Sequence, residues 1–288
     1  MPTRAPDLSF SEDRLEDRLR LRGTALGTPL VVLDEVTSTN DLAKRAAREG
    51  APHGATFLAE SQTAGRGRQG RTWSSPSGQN LLVSVLLRTP CPLARLPQLS
   101  LVAGLAIRDA VARALGEPQG AGEGLARVLV KWPNDVLVRG LDHDAVAKKV
   151  AGILVESTVS GSTIESIVVG FGINVHVREF PEDLAGRATS VALSGGEAPD
   201  RVSILLDVLE GLDRDVPRVA ARGLGDVHER LTRCCALRGR PIDSSEASGM
   251  CEGIDRDGRL LVRTEHGALV RLSSGEVHLG TPRTHVSS

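Results

Sequence analysis

A glycine- and arginine-rich segment offers the clearest chemistry in this sequence of 288 residues. This Gly-Arg loop, Gly65-Arg66-Gly67-Arg68-Gln69-Gly70, is followed by Arg71 and Trp73. Glycines expose backbone N–H donors, and guanidinium groups match carboxylate and phosphate oxygens. Because a long loop in a compact domain is usually functional or disordered, the segment predicts a mobile cover over an anionic ligand. A solvated basic surface loop is the alternative.

The same segment has the spacing G-x-G-x-x-G, but its surroundings argue against a dinucleotide-binding fold. In that fold the glycines open a helix, so that the pyrophosphate meets the helix N-terminus. Here they are followed by residues 71–78, another polar loop, and then by an apolar run. The pattern G-x-x-x-x-G-K-[ST] does not occur. We therefore expect an anion site of a different construction.

Lysine is rare in this chain, although Lys and Arg together number 35. It occurs at Lys44, Lys131, Lys148 and Lys149. Against this arginine-rich background, a lysine indicates a position where a compact ammonium is preferred to a planar guanidinium. Lys148 and Lys149 are adjacent at the start of an apolar run, so on a strand only one of them can face a given site.

Further segments stand out in a definite order around the Gly-Arg loop. They are Ser38-Thr39-Asn40, Glu60-Ser61-Gln62-Thr63-Ala64, Lys131-Trp132-Pro133-Asn134-Asp135, Lys149-Val150-Ala151-Gly152-Ile153-Leu154-Val155-Glu156 and Gly170-Phe171-Gly172-Ile173-Asn174-Val175. Together they closely resemble the biotin protein ligases over about residues 36–177. A weaker resemblance continues at residues 253–255 and 275–277. Residues 140–147 form a longer insertion than the family's usual hairpin loop, but Val150-Ala151-Gly152 keeps Lys149 aligned.

The resemblance implies an ATP-dependent ligase with ATP and Mg²⁺ as cofactors. In the family, the biotin carboxylate attacks the α-phosphate of ATP, giving biotinyl-5′-AMP and pyrophosphate. A lysine of a biotin carboxyl carrier protein domain then accepts the biotin. The resemblance also implies an α+β fold, in which a mixed β-sheet and helices form a core like that of class II aminoacyl-tRNA synthetases. A small SH3-like β-barrel is implied at the C-terminus.

Biotin has a neutral ureido ring with two N–H donors and one carbonyl acceptor, for which hydroxyl and amide side chains are suitable partners. The resemblance places the biotin contacts at Ser38, Thr39, Asn40, Gln62, Gly65, Arg66, Gly67, Arg68, Lys149 and Gly152. From the residues alone, Ser38, Thr39 and Asn40 are also suitable N-cap residues for the helix that follows. Capping and binding can coexist.

The nucleotide contacts follow from the same resemblance. They are Arg66, Arg68, Trp73, Lys131, Asn134, Asp135 and Asn174. Asp135 is also the candidate Mg²⁺ ligand, because one carboxylate together with phosphate oxygens is a usual magnesium arrangement. Pairing with a lysine is its other interpretation. A purely structural β-turn would equally explain Pro133, Asn134 and Asp135.

The resemblance assigns catalysis to Lys149 and Arg68. A compact ammonium can touch the biotin carboxylate and the α-phosphate together, and so offset the charge that develops between them. Arg68, together with Arg66, would cover the ligand and exclude water from an anhydride that hydrolyses readily. Lys148 would then be the solvated lysine of the pair. The acceptor lysine attacks the anhydride itself, so the enzyme needs no nucleophile.

Hydrophobic periodicity and turn residues predict the elements that must position these groups. Strands are predicted at 30–33, 55–60, 81–87, 128–132, 136–138, 150–156 and 164–169, the last continuing or bending through 170–174. Helices are predicted from about 39 to 49, at 96–115, at 203–215 and at 216–233. Residues 61–78 are predicted to be a loop without regular structure, and residues 116–124 and 139–147 to be flexible loops.

The chain is predicted to divide into three parts. Residues 1–25 form an N-terminal arm with one short helix, 26–235 the catalytic biotin- and ATP-binding domain, and 236–288 a small antiparallel β-domain. Turns at residues 255–258, 265–267 and 273–275 support the last prediction. The segment before residue 36 is too short for a winged helix-turn-helix domain, so we expect no DNA binding.

Composition sets wider limits. The net charge is −1, so no bulk field draws the protein to nucleic acid or to an anionic membrane. No run of about 18 apolar residues occurs. The four cysteines lack C-x-x-C spacing, which favours free thiols in a reducing compartment. We expect a cytoplasmic protein that does not enter membranes, and leave open whether it forms a homodimer.

Two other functions compete with this interpretation. A lipoate-type ligase would use the same adenylation chemistry but prefer an apolar dithiolane acid, whereas Ser38, Thr39 and Gln62 favour a polar ureido ring. A non-enzymatic sensor of biotin or nucleotide would keep the pocket but would not need Lys149. Pyrophosphate release in the presence of each acid distinguishes the three.

Overall fold

A computed structural model describes residues 12–117, 126–140, 146–161, 163–196 and 199–279. The predicted flexible loops at 116–124 and 139–147 lie largely outside the described residues, as does the end of the chain after 279. The helices are α1 (Glu12–Arg22), α2 (Thr39–Arg48), α3 (Leu96–Ala114), α4 (Glu182–Ala185), α5 (Arg201–Arg222) and α6 (His228–Arg233). Single 3₁₀ turns occur at Arg68–Gly70, Leu93–Arg95 and Leu224–Asp226.

Twelve strands are formed by the described residues. They are β1 (Leu30–Val36), β2 (Thr56–Gln62), β3 (Asn80–Leu87), β4 (Val128–Lys131), β5 (Asp135–Val138), β6 (Lys148–Ser160), β7 (Thr163–Asn174), β8 (Pro241–Asp243), β9 (Ser248–Ile254), β10 (Leu260–Arg263), β11 (Leu269–Leu272) and β12 (His278–Leu279). Each strand predicted before residue 236 is present. β7 runs without interruption through Gly170-Phe171-Gly172, which was predicted to continue or bend the strand.

The first seven strands form one sheet in the order β1-β2-β3-β7-β6-β5-β4. β1 and β2 are parallel, and every other neighbouring pair is antiparallel. Helices α3 and α5 pack together against one face, while α2 lies against the other face over β2, β3 and β7. This mixed sheet with helices on both faces confirms the predicted α+β class.

The two faces of the sheet differ because side chains alternate along a strand. On β7, Val169, Phe171 and Ile173 join the main hydrophobic core beneath α3 and α5. The intervening Gly170 and Gly172 lie on the opposite face, next to Asn40 and Trp73. One face of the sheet is therefore apolar throughout, whereas the other has small and polar residues around Gly170 and Gly172 and a smaller apolar cluster under α2, which includes Phe57 and Val168.

Helix α5 is longer than predicted. One helix spans Arg201–Arg222, with Pro217 inside it, where two segments had been predicted at 203–215 and 216–233. Proline removes one backbone hydrogen bond, but Val216 and Val219 on either side are buried in the core. Tertiary packing therefore outweighs the local signal, and the remaining residues form only the 3₁₀ turn and α6.

The N-terminal helix also contributes to the core. Leu15 and Leu19 of α1 are buried, and α1 contacts β1 and α5. Residues 12–22 of the predicted arm are thus packed against the sheet domain. No helix among the described residues has both the length and the apolar character that crossing a membrane requires.

The last five strands form a second, antiparallel sheet in the order β11-β10-β9-β8-β12. Its apolar side joins the main core through residues such as Ile254, Leu260 and Val262. The indole N–H of Trp132 donates to the carbonyl of Gly258 at 3.0 Å. The Val130 N–H on β4 also donates to the Cys234 carbonyl, and the Val130 carbonyl accepts the Ala236 N–H. The two sheets therefore share a packed and hydrogen-bonded junction.

Candidate active site

The candidate site lies on the polar face of the first sheet, and glycines form its floor. Gly172 on β7 pairs with Gly152 on β6, and Gly170, two residues along, pairs with Leu154 and with Ser84 on β3. A Cβ at Gly170 would overlap the Asn40 side chain, and one at Gly172 would lie 2.5 Å from the Trp73 ring. The glycines are therefore needed for two side chains to lie directly on the sheet.

Asn40 is held at one end of this floor by three groups. Its Nδ2 donates to Glu156 Oε2 at 2.7 Å and to the Leu154 carbonyl at 3.3 Å. Its Oδ1 lies 2.6 Å from Ser84 Oγ, which can donate to it. Since Asn40 and Ser84 are both buried, the amide orientation is determined by the protein.

Thr39 and Gln62 complete the predicted biotin-binding cluster. Gln62 Oε1 accepts the Thr39 backbone N–H at 2.8 Å and the Thr39 hydroxyl at 3.2 Å. Ser38 occupies the N-cap position of α2 but makes no side-chain cap hydrogen bond, so capping does not account for its hydroxyl. Instead, Gln62 on β2 accepts the Thr39 backbone N–H in the first turn of α2. Local sequence cannot reveal this contact, because the two residues are far apart in the chain.

The flap, defined as residues 65–73, is a small hairpin rather than the unstructured loop that was predicted. The Trp73 N–H donates to the Gly65 carbonyl at 2.9 Å, and the Gly67 N–H donates to the Arg71 carbonyl at 2.7 Å. The turn is closed by Gln69 and Gly70, which both have positive φ. Backbone pairing within the flap therefore links the position of each arm to that of the other.

Trp73 at the end of the flap lies on Gly152 and Gly172. Its Nε1 is buried and makes no hydrogen bond with the described residues. The Lys149 ammonium lies 5.5 Å from the centre of the Trp73 ring, a distance suited to a cation–π interaction. A flat aromatic surface and a lysine are thus brought together over the glycine floor.

Lys149 is also paired with Asp135. Its Nζ lies 2.7 Å from Asp135 Oδ1, which is buried. Lys131 sits opposite Asp135 in the β4–β5 register, and burial lowers the pKa of its ammonium. Two lysines around one carboxylate leave a net positive charge, which suits an anionic ligand.

Asn134 and Arg68 lie beside this group. Asn134 Nδ2 donates to the Ile153 carbonyl at 3.0 Å, and the Asn134 carbonyl accepts the Ile153 N–H at 2.9 Å. This anchors the turn between β4 and β5 to β6. Arg68 approaches Asn134 Oδ1 at 3.4 Å and borders a cavity of about 240 Å³. That cavity lies between β6, the start of α3 and the second sheet.

Arg66 points elsewhere. Its guanidinium lies 2.5 Å from Asp41 on α2 and 3.3 Å from Glu156 on β6. Lys44, one turn after Asp41, also pairs with Glu156, at 2.8 Å. Burial raises the pKa of Glu156, but hydrogen bonds from Lys44 and Asn40 outweigh it, so the net shift is downward.

Arg71 connects the flap to the second sheet. It forms an ion pair with Glu276, which precedes β12. The hydrogen bond from Arg71 lowers the pKa of Glu276. Residues from the C-terminal part of the chain therefore contact the cover of the site.

Asn174 has both ends of its amide engaged. Its Nδ2 donates to the Thr189 carbonyl at 3.1 Å, and its Oδ1 accepts from Asn80 Nδ2 at 3.3 Å. Asn80 also donates to Ser75, just after the flap, at 2.7 Å. In this arrangement Asn174 supports the wall of the site, and its predicted contact with adenylate stays a prediction.

Lys148 donates to the Ala185 carbonyl at 3.0 Å, outside the Lys149 cluster, so the two lysines diverge as expected from strand geometry. Sequence reasoning missed Ser84, Asn80 and Asp41, noted Lys44 only as one of the rare lysines, and left Glu156 aside. Ser84, a lone polar residue in the apolar run of β3, and Lys44, a rare lysine, carried a usable signal. The described residues contain no cluster of three or more His, Cys, Asp or Glu that could hold a metal ion.

Family models match two parts of the chain. The Biotin/lipoate A/B protein ligase family matches residues 32–174, and the Biotin protein ligase C terminal domain matches residues 242–280. The biotin--[acetyl-CoA-carboxylase] ligase of Paracoccus denitrificans is 35% identical over 86% of this chain and 100% of its own length. The enzyme of that name from Mycobacterium tuberculosis is 34% identical, with 92% and 97% covered.

Solved structures agree with these matches. The biotin protein ligase from Aquifex aeolicus in complex with biotin and ATP has a TM-score of 0.71 and 30% identity, covering 87% of this chain and 98% of that one. The Leishmania major enzyme in complex with biotinyl-5-AMP has a TM-score of 0.53 and 27% identity, with 84% and 98% covered. This chain therefore belongs to the biotin protein ligase family.

Proposed function

We propose that this protein uses ATP to convert biotin into biotinyl-5′-AMP and then transfers biotin to a lysine of a biotin carboxyl carrier domain. The observation that carries this proposal is the placement of the Lys149 ammonium between Asp135 and the Trp73 ring, above the Gly152–Gly172 floor. An anionic acid and a nucleotide must meet at such a point, and relatives in this family are named as ligases of this reaction.

The site provides two adjacent subsites. Two residues along a strand span about 7 Å, so Asn40 over Gly170 and Trp73 over Gly172 are neighbours on the floor. The cluster of Thr39, Asn40 and Gln62 offers hydroxyl and amide groups for the ureido ring, with Ser38 beside it. Gly65 and Gly67 allow the backbone of the flap to approach the acid.

Activation brings two anions together. An oxygen of the biotin carboxylate attacks the α-phosphorus of ATP, the bond to the bridging oxygen breaks, and pyrophosphate leaves. Lys149 would neutralise the carboxylate and the α-phosphate, with Lys131 adding positive charge. Trp73, Asn134 and Asn174 would border the adenylate.

Asp135 is the residue that would hold Mg²⁺ together with phosphate oxygens. Its Oδ1 is buried and already has the Lys149 ammonium at 2.7 Å, so a bound Mg²⁺ would share this carboxylate with Lys149. A bound Mg²⁺ would offset the phosphate charge. Its ion pair with Lys149 gives Asp135 a second role, which is to hold the ammonium in place.

Transfer follows from the same geometry. The amine of the acceptor lysine attacks the acyl carbonyl of the anhydride, the bond to the AMP oxygen breaks, and an amide forms. Arg66 and Arg68 on the flap would keep water away from the anhydride until the acceptor arrives. No nucleophile of the enzyme is required.

We also propose a finer description of the architecture. The sheet domain, residues 26–235, would be a core like that of class II aminoacyl-tRNA synthetases, and residues 236–288 a small SH3-like barrel, preceded by an N-terminal arm at 1–25. The five-stranded antiparallel sheet and the separate family match at 242–280 support the second unit. Superposition on experimental structures of both fold types would test this description.

Three proposals concern the protein's surroundings. It would work in the cytoplasm, in line with the free cysteines among the described residues. It would not bind DNA, which a mobility-shift assay with operator sequences tests. Homodimer formation is left to measurement by analytical ultracentrifugation with and without biotin and ATP.

The decisive experiment is intact-mass analysis of a carrier domain after incubation with this protein, biotin and Mg-ATP. A mass increase equal to one biotin minus one water is expected, and it should require ATP. Replacing biotin with lipoate should abolish the modification. Modification with lipoate but not with biotin would support the rival ligase. If neither biotin nor lipoate causes pyrophosphate release, only a binding function would remain.

A further inference from the structure

Four charged side chains beside the floor form a network, and the proposed reaction gives a role to only one of them, Arg66. Asp41 and Lys44 lie one turn apart on α2, Arg66 lies on the flap, and Glu156 lies on β6. Arg66 Nη2 is 2.5 Å from Asp41 Oδ1 and 3.3 Å from Glu156 Oε2. Lys44 Nζ is 3.1 Å from Asp41 and 2.8 Å from Glu156. Two carboxylates and two cations therefore alternate.

This network joins the flap to the sheet through Glu156. Its Oε2 accepts from both Asn40 and Arg66, while its Oε1 accepts from Lys44. The Glu156 carboxylate is about one quarter exposed, so its attraction to Arg66 is only partly screened by water. The Glu156 carboxylate thus contacts both Asn40, a residue predicted to bind biotin, and Arg66 of the flap.

The flap transmits the position of Arg66 to Trp73. Arg66 lies between Gly65, whose carbonyl accepts the Trp73 N–H, and Gly67, whose N–H donates to Arg71. An isolated bridge also pairs Arg66 with Thr72. Since the two arms are paired through their backbones, fixing Arg66 on α2 also fixes Trp73 over the glycine floor.

We propose that Asp41 and Glu156 are positioning residues that dock the flap by binding Arg66, with Lys44 balancing the charge of the two carboxylates. Arg66 then serves mainly to hold the flap, and Arg68 is the flap arginine that faces the ligands. This division of labour rests on the proposed function, because docking matters through the retention of biotinyl-5′-AMP.

A double-mutant cycle tests the docking. Asp41→Asn, Arg66→Gln and the double variant are compared for the rate at which biotinyl-5′-AMP escapes from the enzyme after a single turnover. Each single variant should raise that rate about fivefold, and the double variant no further than Arg66→Gln. Asp183→Asn, which removes an exposed ion pair with Arg187, is the matched control and should change nothing.

The same variants are compared for tryptic cleavage after Arg68 without biotin or ATP, followed by mass spectrometry. Asp41→Asn should speed cleavage about fivefold, since a released flap is more accessible. This readout does not depend on ligase activity, so it stands even if the wild type makes no adenylate. Unchanged cleavage in Asp41→Asn, or additive effects in the double variant, would overturn the docking role.

Glu156 is tested separately because it has two contacts. Glu156→Gln keeps an oxygen that can accept from Asn40 but loses the charge that attracts Arg66. It should therefore speed adenylate escape several-fold while leaving the KM for biotin unchanged. Glu156→Ala should speed adenylate escape and also raise the KM for biotin, because it removes the oxygen that accepts from Asn40. Identical KM values for biotin in the two variants would contradict the link to Asn40, and unchanged escape in Glu156→Gln would contradict the link to Arg66.

Discussion

The two faces of the seven-stranded sheet are built from the same strands but serve different ends. Along β7, Val169, Phe171 and Ile173 enter the core below α3 and α5, whereas Gly170 and Gly172 face Asn40 and Trp73. The apolar face gains stability from burial and close packing. The other face gives up side-chain burial at the glycines, and in return holds an amide, an indole and an ammonium directly on the backbone.

On β7, residues that stabilise the core and residues that form the site are therefore next to each other in the sequence. Because the side-chain period of a strand is two, neighbouring positions belong to different environments. Around Gly172, substitutions at adjacent residues should therefore give opposite results, with loss of activity on the site face and loss of stability on the core face.

The largest effect is expected for Lys149→Ala on the site face. Removing the ammonium should slow biotin-dependent pyrophosphate release about 1000-fold, equivalent to about 4 kcal/mol of activation free energy. The melting temperature should change little, since Lys149 is partly exposed. Lys148→Ala is the neighbouring control, and it should keep nearly full activity. Equal activity in the two variants would remove Lys149 from the centre of the site.

On the core face, Ile173→Ala should lower the free energy of unfolding by about 3 kcal/mol. Ile173 is fully buried, so the change removes apolar contacts and leaves a cavity. Denaturant unfolding measures the loss. Below the melting temperature the KM for ATP should stay close to that of the wild type. A large rise in KM with little change in stability would break the proposed separation of the faces.

At the adjacent position, Gly172→Ala should act on the site. The added Cβ would lie 2.5 Å from the Trp73 ring, so the indole must leave the floor. We expect the KM for ATP to rise about tenfold, with under about 1 kcal/mol lost in stability. Gly186→Ala, where nothing lies within 4 Å of the new Cβ, is the control. An unchanged KM would show that Trp73 does not border the nucleotide.

The smallest effect concerns Glu156 and pH. Hydrogen bonds from Lys44 and Asn40 outweigh burial and hold the pKa of Glu156 below its ordinary value of 4.5. Ionised Glu156 therefore stabilises the fold above about pH 4.5, and this contribution is lost as the pH falls through the lowered pKa. Glu156→Gln should be less stable than the wild type at pH 7 by about 1 kcal/mol.

Urea unfolding at pH 7 and at progressively lower pH measures this difference. The gap between the two proteins should narrow as Glu156 becomes protonated. A gap that widens on acidification would reverse the sign of the linkage and contradict the ion pairs around Glu156.

Much of the fold could be predicted from local patterns. The strands were located because short apolar runs are bounded by turn residues such as Gly, Pro and Asn, and α3 because its apolar residues recur at helical spacing. Local patterns failed to predict the structure where contacts between distant residues determine it. Pro217 lies inside one continuous helix because Val216 and Val219 are packed in the core. The flap is a hairpin because Gly65 and Trp73 pair through their backbones.

By itself, the sequence determined the family, the reaction and the residue types that could perform the reaction, because the order and spacing of the motifs can be read without a structure. Only the tertiary structure decided which partner each charge takes. Arg66 binds Asp41 and Glu156 rather than joining Lys149, although Glu156 lies 90 positions further along the chain. Such pairs depend on which strands and helices become neighbours, and sheet order and packing determine that only after the whole chain has folded.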